Sequence, residues 1–461
     1  MVFSSNIFLF FFLPLTLLLY YLCPRRFRNV LLLAVSLLFY AWGEPVYLSL
    51  MVFTILLNYL SGRLLGKPEQ RPGRRKTVLV LALVLNLSLL GFFKYAGFLA
   101  RTLNALLPAA LRLPVPEIPL PIGISFYIFQ SMSYTIDVYR GQVPPQRNLL
   151  TFGTYVSLFP QLIAGPIVRY RDVARQLESR RENLPQAAAG VQLFILGLAK
   201  KILLANRMGE LWETLKGSGG TLAAWVCMFA YTLQIYFDFS GYSDMAIGLG
   251  RMFGFEFLPN FDYPYISRSV TEFWRRWHIS LGTWFREYVY IPLGGNRRGK
   301  ARWLLNLFIV WGLTGLWHGA SWNFVLWGLF YALLLSAEKL FLLKGLERLP
   351  GTVRCLLVFV TVSLGWVLFS FPDMGELSAF LLRLVSAEGE TAVSLNRILA
   401  YLPLMGVSLL AATPLPKTLY HRLDGKRVQG PLLLLWLTVL MLLCVAALAS
   451  QSYNPFIYFR F

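Results

Sequence analysis

Charged residues are scarce in this chain. Only 14% of its 461 residues are Asp, Glu, Lys or Arg, whereas 57% are hydrophobic. Soluble domains carry about a quarter charged residues, so this composition excludes an ordinary soluble protein. Acidic residues are the fewest, 22 against 43 basic ones, and the net charge is +21. Because the basic residues lie in short loops between apolar runs, they are typical of a membrane protein, and we expect no nucleic-acid partner.

Cysteine is also rare. The four cysteines, Cys23, Cys227, Cys355 and Cys444, are far apart, so their spacing predicts neither a disulfide framework nor a metal site. We interpret them as small buried hydrophobic residues. The sequence also lacks polar linkers, low-complexity tracts and a convincing internal repeat, which weakens the case for an inverted-repeat transporter. These absences favour a single membrane domain over residues 1–461.

Apolar runs fill most of the sequence. Because a transmembrane helix needs about 20 apolar residues, we predict an all-α integral membrane protein with roughly ten to twelve transmembrane helices plus re-entrant or interfacial helices. Basic loops follow the first apolar run at residues 25–28 and the third at residues 63–76. Both loops lie in the cytoplasm if the N-terminus is outside, as the positive-inside rule requires. Residues 78–93 and 97–111 are interpreted as separate apolar segments.

An uncharged stretch of about 35 residues runs from Trp303 to Ala337 and is too long for one span. The sequence His-Gly-Ala-Ser at 318–321 interrupts it, and we predict a junction of two helices there. An ionisable group inside a membrane is a functional hypothesis by default, and a neutral imidazole can act as a general base. His318 is therefore a candidate catalytic residue, the alternative being a histidine that only packs. Ser321 lies in no Gly-x-Ser-x-Gly turn, so we expect local hydrogen bonding from it.

A second histidine lies in the aromatic and basic segment SVTEFWRRWHISLGTWFREYVY. If this segment is one helix, a single stripe carries Trp274, Trp277, His278, Leu281, Phe285 and Tyr288. The pattern is typical of an interfacial amphipathic helix. Arginines and aromatic rings also suit a nucleotide-bearing anionic donor, so Arg275 and Arg276 are candidate donor contacts. The third histidine, His421, is expected at the surface.

Acidic residues within apolar runs offer a different interpretation. Asp137, Asp238 and Asp244 could couple a proton or cation flux in a transporter, although burial against polar partners is the expectation we favour. Asp238 and Asp244 are six residues apart and share no tight helical face, so a two-carboxylate mechanism is not supported.

Four ordered segments carry a family resemblance: LFPQLIAGPIVRY, YFDFSGYSDMAIGLGRMFGFEF, NFDYPYISRSVTEFWRRWHISLGTWFREYVYIPLGGNR and LTGLWHGASWNFVLWGLFYA. Together with the ending NPFIYFRF, they resemble the membrane-bound O-acyltransferase superfamily. Within it they are most similar to the bacterial alginate O-acetyltransferase membrane proteins. The resemblance covers essentially the whole chain, and neither histidine departs from the motif.

The resemblance implies a helical membrane enzyme with a central funnel or tunnel. An acyl group from a cytoplasmic thioester meets an acceptor hydroxyl near an intramembrane histidine, which by position is His318, with His278 as the upstream histidine. Acetyl-CoA is the implied co-substrate, with no permanently bound cofactor and no metal. Expected substrate or donor contacts are Trp274, Arg275, Arg276, Trp277, Trp317, Ser321, Trp322 and Asn323.

The implied location is the bacterial inner membrane, where the protein contacts membrane lipid. The implied partner is a separate periplasmic or membrane-anchored acetyltransferase, and the final acceptor is an exported polysaccharide. Two alternatives stay open: D-alanyl transfer to teichoic acid within the same superfamily, and a proton-coupled transporter or export channel.

Overall fold

A computed structural model describes residues 1–67, 71–163 and 165–450, and within these ranges the chain is helical with no β-strand. The ending NPFIYFRF, residues 454–461, lies outside the described residues. The first helices are α1 (Leu13–Leu22), α2 (Arg28–Ala41), α3 (Leu48–Leu65), α4 (Pro72–Asn104), α5 (Ile124–Tyr139), α6 (Leu149–Ser157), α7 (Phe159–Leu162), α8 (Tyr170–Ser179) and α9 (Leu184–Ala199).

The remaining helices follow without a soluble-length insertion. They are α10 (Asn206–Leu215), α11 (Thr221–Met252), α12 (Val270–Arg276), α13 (Ile279–Phe285), α14 (Lys300–His318), α15 (Trp322–Ala337), α16 (Leu343–Leu346), α17 (Gly351–Ser370), α18 (Met374–Arg383), α19 (Ala392–Ala411), α20 (Leu415–His421) and α21 (Gln429–Ser450). Four π-helical turns adjoin them, at Phe8–Phe12, Lys200–Ala205, Arg286–Tyr290 and Glu338–Leu342, and short 3-10 turns lie at Arg25–Phe27, Ala109–Leu111 and Pro264–Ile266.

Eight of the described helices are long and apolar enough to cross a membrane. They are Leu48–Leu65, Pro72–Asn104, Leu184–Leu215, Thr221–Met252, Trp322–Leu346, Gly351–Ser370, Ala392–Ala411 and Gln429–Ser450. The all-α integral membrane fold is thereby confirmed, whereas the count of ten to twelve spans stays a prediction.

Helix α4 corrects the sequence interpretation. Residues 78–93 and 97–111 were expected to form separate segments, but one helix of 33 residues runs from Pro72 to Asn104. Gly91 and Gly97 lie inside it. A glycine costs a helix only about 1 kcal/mol relative to alanine, so neither glycine ends the helix. The half-buried Lys94 lies inside the same helix.

The described residues group into two compact units, and a single domain over residues 1–461 stays a prediction. The first unit comprises Met1–Phe194 and Met245–Leu258. In it Asn58 of α3 and Asn86 of α4 exchange two side-chain hydrogen bonds of 3.1 Å, and Thr135 of α5 donates to Asn58 Oδ1 at 2.8 Å. Nearly every residue of α5 is buried, so this helix faces protein although it carries several polar side chains.

The second unit comprises Ile195–Asp244 and the described residues from Pro259 onward. Here α14 ends at His318 and α15 begins at Trp322, so the predicted helix junction is confirmed. The two helices pack backbone to backbone, because a Cβ added at Gly315 would overlap the Phe324 carbonyl and one at Gly328 would overlap the Trp311 carbonyl. Small residues permit this close approach between membrane helices.

The close approach makes Gly328→Ala a test of the α14–α15 packing. We expect a lower melting temperature and a lower yield of folded protein, since the new methyl group forces the two helices apart. Gly312→Ala on α14 is the matched control, because nothing lies within 4 Å of its added Cβ. Thermal unfolding of the two purified variants measures the difference, and equal melting temperatures would contradict the packing described here.

Candidate active site

His318 is the last residue of α14 and is buried in an aromatic enclosure, with 7% of its surface exposed. Its ring centroid lies 5.1 Å from those of Trp317 and Trp327 and 5.3 Å from that of Phe369, all edge-on. Trp317 was expected at the site, whereas sequence reasoning missed Trp327 and Phe369. Trp327 lies nine positions after His318 in the same uncharged stretch, but nothing in the sequence links Phe369 to it.

His278 lies at a helix break, which contradicts the predicted single stripe of aromatic residues. Helix α12 ends at Arg276 and α13 starts at Ile279, with His278 in the left-handed conformation at φ 45°. Such a conformation costs a non-glycine residue about 1–3 kcal/mol and persists only where surrounding contacts hold it. The backbone N–H of Ile279 donates to the Asn260 carbonyl at 3.0 Å, and that of Asp262 donates to the Arg276 carbonyl at 2.9 Å.

Asn260 sets the protonation pattern of His278. Its Oδ1 accepts from the Ser280 N–H at 3.1 Å and the Ser280 hydroxyl at 2.9 Å, and it lies 3.3 Å from His278 Nδ1. Because Oδ1 is an acceptor, Nδ1 must carry the hydrogen, and in the neutral ring Nε2 then carries the lone pair. Burial lowers the pKa of His278 to about 3, so the ring is neutral at physiological pH. Asn260 is a further residue that sequence reasoning missed; only its place in the NFDYPY motif could have indicated it.

The structure brings the two candidate catalytic histidines together. Their ring centroids are 6.4 Å apart, and Trp317 contacts both, at 5.8 Å from His278 and 5.1 Å from His318. One substrate group placed between the rings could contact both imidazoles. Such a pair can supply a proton acceptor and a second polar group within a water-poor enclosure.

The tryptophans of the upstream motif reach this enclosure to different extents. The ring of Trp274 lies 5.5 Å from that of Trp327, which itself contacts His318. Trp277 packs at 4.7 Å against Trp366 and is only 3% exposed. Trp274 therefore connects the histidine site to the segment that carries the predicted donor contacts, whereas Trp277 packs against Trp366 and its donor contact stays a prediction.

The residues after His318 also differ in their burial and in their contacts with the site. Ser321 donates a hydrogen bond to Asn323 Oδ1, which confirms a local hydrogen-bonding role. Asn323 is 1% exposed and donates to the Phe369 carbonyl at 2.8 Å, and so fixes a ring that contacts His318. Trp322, in contrast, has 52% of its surface exposed.

The two predicted donor-binding arginines have different surroundings. Arg276 binds Asp262 at 3.1 Å and Glu272 at 3.0 Å, so its charge is already compensated. Arg275 is exposed, which leaves it the better candidate for contact with an anionic group.

Two of the three acids within apolar runs have basic partners. Asp238 and Lys201, each 3% exposed, are 2.5 Å apart, and Asp244 and Lys200 are 2.6 Å apart. The favoured expectation of polar partners is thereby confirmed for both acids. Asp137, on α5 of the first unit, is fully buried.

His421 lies at the surface as expected, whereas only two of the four cysteines are buried. His421 is exposed and pairs with Asp424 at 2.9 Å. Cys227 and Cys444 are buried, whereas Cys23 and Cys355 are partly exposed.

Comparison with known proteins identifies a matching family and several relatives. Residues 138–343, which include both histidines, match the family model of MBOAT, the membrane-bound O-acyltransferase family. The chain is 41% identical to a probable alginate O-acetylase of Azotobacter vinelandii over 100% of both chains. It is 32% identical to a peptidoglycan O-acetyltransferase of Helicobacter pylori over 86% of this chain and 82% of the relative. It is 29% identical to a teichoic acid D-alanyltransferase of Streptococcus thermophilus over 54% and 68%, respectively.

The lowered pKa of His278 predicts acid sensitivity. In the unfolded chain the pKa of His278 is near 6.5. Below that pH the unfolded chain therefore binds a proton at His278, whereas the folded chain does not bind it until about pH 3. Stability therefore falls with decreasing pH, by about 2 kcal/mol between pH 6.5 and pH 5. His278→Asn, which keeps a donor for Asn260, should flatten this dependence in thermal unfolding scans. His421→Asn should retain the wild-type slope, and equal slopes in all three proteins would refute the assignment.

Proposed function

Because the chain belongs to the membrane-bound O-acyltransferase family and is an O-acyltransferase, we propose that it takes an acetyl group from cytoplasmic acetyl-CoA for O-acetylation of an exported, alginate-like polysaccharide. The acetyl group is supported by the relatives of Azotobacter vinelandii and Helicobacter pylori, whose names both specify O-acetyl transfer. The polysaccharide is supported by the first of these, which is similar over the whole length of both chains.

The observation that carries the proposal is the buried pair of histidines, His278 and His318, with ring centroids 6.4 Å apart inside the part of the chain that matches the family. In the proposed reaction the imidazole of His318 removes the proton from an acceptor hydroxyl while that oxygen attacks the thioester carbonyl. The new ester bond forms as the carbon–sulfur bond breaks. The departing thiolate of coenzyme A takes the proton back from His318, so the residue ends the cycle neutral.

His278 assists this step in our proposal. Its Nδ1–H is directed to Asn260, so Nε2 is the nitrogen that can accept a hydrogen bond. A neighbouring O–H or N–H group of the acceptor molecule can donate to this Nε2 and so orient the attacking hydroxyl, whose own proton goes to His318; orientation of this kind contributes strongly to rate. His278 thus positions the acceptor, and His318 removes the proton.

The donor enters, we propose, past Arg275. Coenzyme A carries phosphate groups and an adenine ring, which bind guanidinium groups and aromatic faces. Arg275 is exposed, whereas Arg276 is engaged by two carboxylates. Trp274 lies next to Arg275 in the sequence and contacts Trp327 beside His318, so aromatic side chains connect the proposed entrance to the surroundings of His318.

The membrane placement follows from the chemistry of the two substrates. Acetyl thioesters are cytoplasmic and the polysaccharide is exported, so we propose a multi-pass protein of the bacterial inner membrane with its N-terminus outside, as the basic loops require. A separate periplasmic or membrane-anchored acetyltransferase completes the transfer to the polymer. Membrane lipid surrounds the apolar spans.

The two alternatives have less support. The teichoic acid D-alanyltransferase of Streptococcus thermophilus is similar over 54% of this chain, compared with 100% for the Azotobacter vinelandii relative. A transporter would need acids able to change partners, but Asp238 and Asp244 both form ion pairs with lysines.

His318→Ala tests the proposed function. With labelled acetyl-CoA and a hydroxyl acceptor, purified protein in nanodiscs should cleave the thioester, and the variant should lose at least about 100-fold in rate, since general base catalysis contributes 10²–10⁴-fold. His421→Ala is the matched control and should retain wild-type cleavage. Equal cleavage by wild type and His318→Ala would show that another residue carries out the chemistry. A wild type that cleaves a D-alanyl carrier-protein thioester instead would identify the other donor class.

Arg275→Ala should raise the KM for acetyl-CoA by about tenfold, because a charge-assisted hydrogen bond to phosphate contributes about 1.5–3 kcal/mol. The kcat should change little, since Arg275 contacts no reacting atom in this scheme. Lys417→Ala makes the same change of charge at an exposed site on α20 and serves as the control. An unchanged KM for Arg275→Ala would place the donor entrance elsewhere.

A further inference from the structure

A buried carboxylate ends the long helix that follows the His318 junction. Glu338 is 2% exposed and begins the π-helical turn Glu338–Leu342, directly after α15. Its Oε2 accepts a hydrogen bond from the Val270 N–H at 2.6 Å, and its Oε1 accepts one from the Thr271 N–H at 3.1 Å. The carboxylate is therefore held by backbone N–H groups of a different segment.

These two N–H groups are the first of helix α12. The third, that of Glu272, donates to Ser269 Oγ at 2.9 Å, and the N–H of Phe273 donates to the Ser269 carbonyl at 3.0 Å. The donors that a helix leaves unpaired at its start are thus satisfied by Glu338 and Ser269. A negative charge is also favourable at this end of a helix. A helix of seven residues is not stable by itself, so α12 depends on such external contacts.

Helix α12 leads directly into His278. The eight residues from Val270 to Trp277 that precede it span about 12 Å at helical rise, so Glu338 cannot contact the imidazole itself. The same carboxylate belongs to the helix that carries Trp327, whose ring contacts His318. Glu338 therefore joins the segment that ends in His278 to the helix that packs against His318.

We propose that Glu338 is a positioning residue that sets the location of His278 relative to His318. Its role in acyl transfer rests on the proposed function, whereas its role in holding His278 does not. In the described part of the chain its hydrogen-bond partners are backbone N–H groups and not a basic side chain. A carboxylate used in this way supplies two acceptors of fixed spacing, which a single-oxygen side chain cannot reproduce.

The first test measures the burial of His278 without any substrate. Purified wild type, Glu338→Ala and Glu338→Gln are treated with diethyl pyrocarbonate, and modification of each histidine is followed by mass spectrometry. We expect His278 to be protected in the wild type and to react in Glu338→Ala at a rate approaching that of the exposed His421. Glu338→Gln should be intermediate, because its amide retains one acceptor oxygen. Unchanged protection in both variants would overturn the proposal.

The second test measures acyl transfer in the same proteins. Glu338→Ala should lower kcat by about 10- to 100-fold, as small displacements of reacting groups do, while the KM for acetyl-CoA stays within about twofold. Glu347→Ala, at an exposed site on the same end of the span, should leave both constants unchanged.

If Glu338→Ala does not fold, Glu338→Gln carries both tests. A lowered kcat without exposure of His278 would contradict positioning. If His278 becomes exposed in Glu338→Ala but thioester cleavage proves independent of His318, the proposed function is overturned and the positioning role of Glu338 stands.

Discussion

A backbone N–H or C=O without a partner costs several kcal/mol in hydrocarbon, and irregular backbone is therefore tolerated at membrane depth only inside protein. Both candidate catalytic histidines lie where helices are interrupted. At His278 the interruption is satisfied by Asn260, whose carbonyl accepts from Ile279 and whose side chain binds His278 and Ser280. After His318, Asn323 binds the Phe369 carbonyl. The site depends on these compensating hydrogen bonds.

The same burial determines the chemistry of the site. Removing imidazoles from water favours their neutral form, which is the form a general base requires. In the proposed reaction, the aromatic rings around His318 exclude water that would otherwise compete with an acceptor hydroxyl for the thioester. The hydrogen bond to Asn260 favours the tautomer of His278 in which Nδ1 carries the hydrogen. The same residues therefore provide both the packing of the site and the groups used in the proposed reaction.

The junction at His318 could be predicted from the sequence, because an uncharged stretch of about 35 residues exceeds one span and polar residues mark the interruption. The break at His278 could not be predicted. Its left-handed conformation has no local signal in a non-glycine residue, and the motif around it reads as a continuous amphipathic helix. The interpretation of residues 78–93 and 97–111 as two segments was wrong, since the local cost of the glycines in α4 is smaller than the gain from an unbroken hydrogen-bond ladder.

Contacts between distant residues were the least predictable part of the site. Phe369 and Asn260 reach the histidines from other helices and loops, and the pairing of Arg276 with Asp262 joins residues 14 positions apart in the sequence. These contacts depend on how helices pack, which helical periodicity alone does not determine. Sequence reasoning therefore singled out both histidines as candidates but not the residues that contact them.

The central claim is that His278 and His318 act together on one acceptor group. A double-mutant cycle on thioester cleavage tests it most directly, with His278→Asn, His318→Ala and the combined variant compared in the same nanodiscs. If the two residues act as a unit, the double variant should be about as slow as the slower single variant. Rate losses that simply multiply would contradict a shared site and show that the two histidines contribute independently.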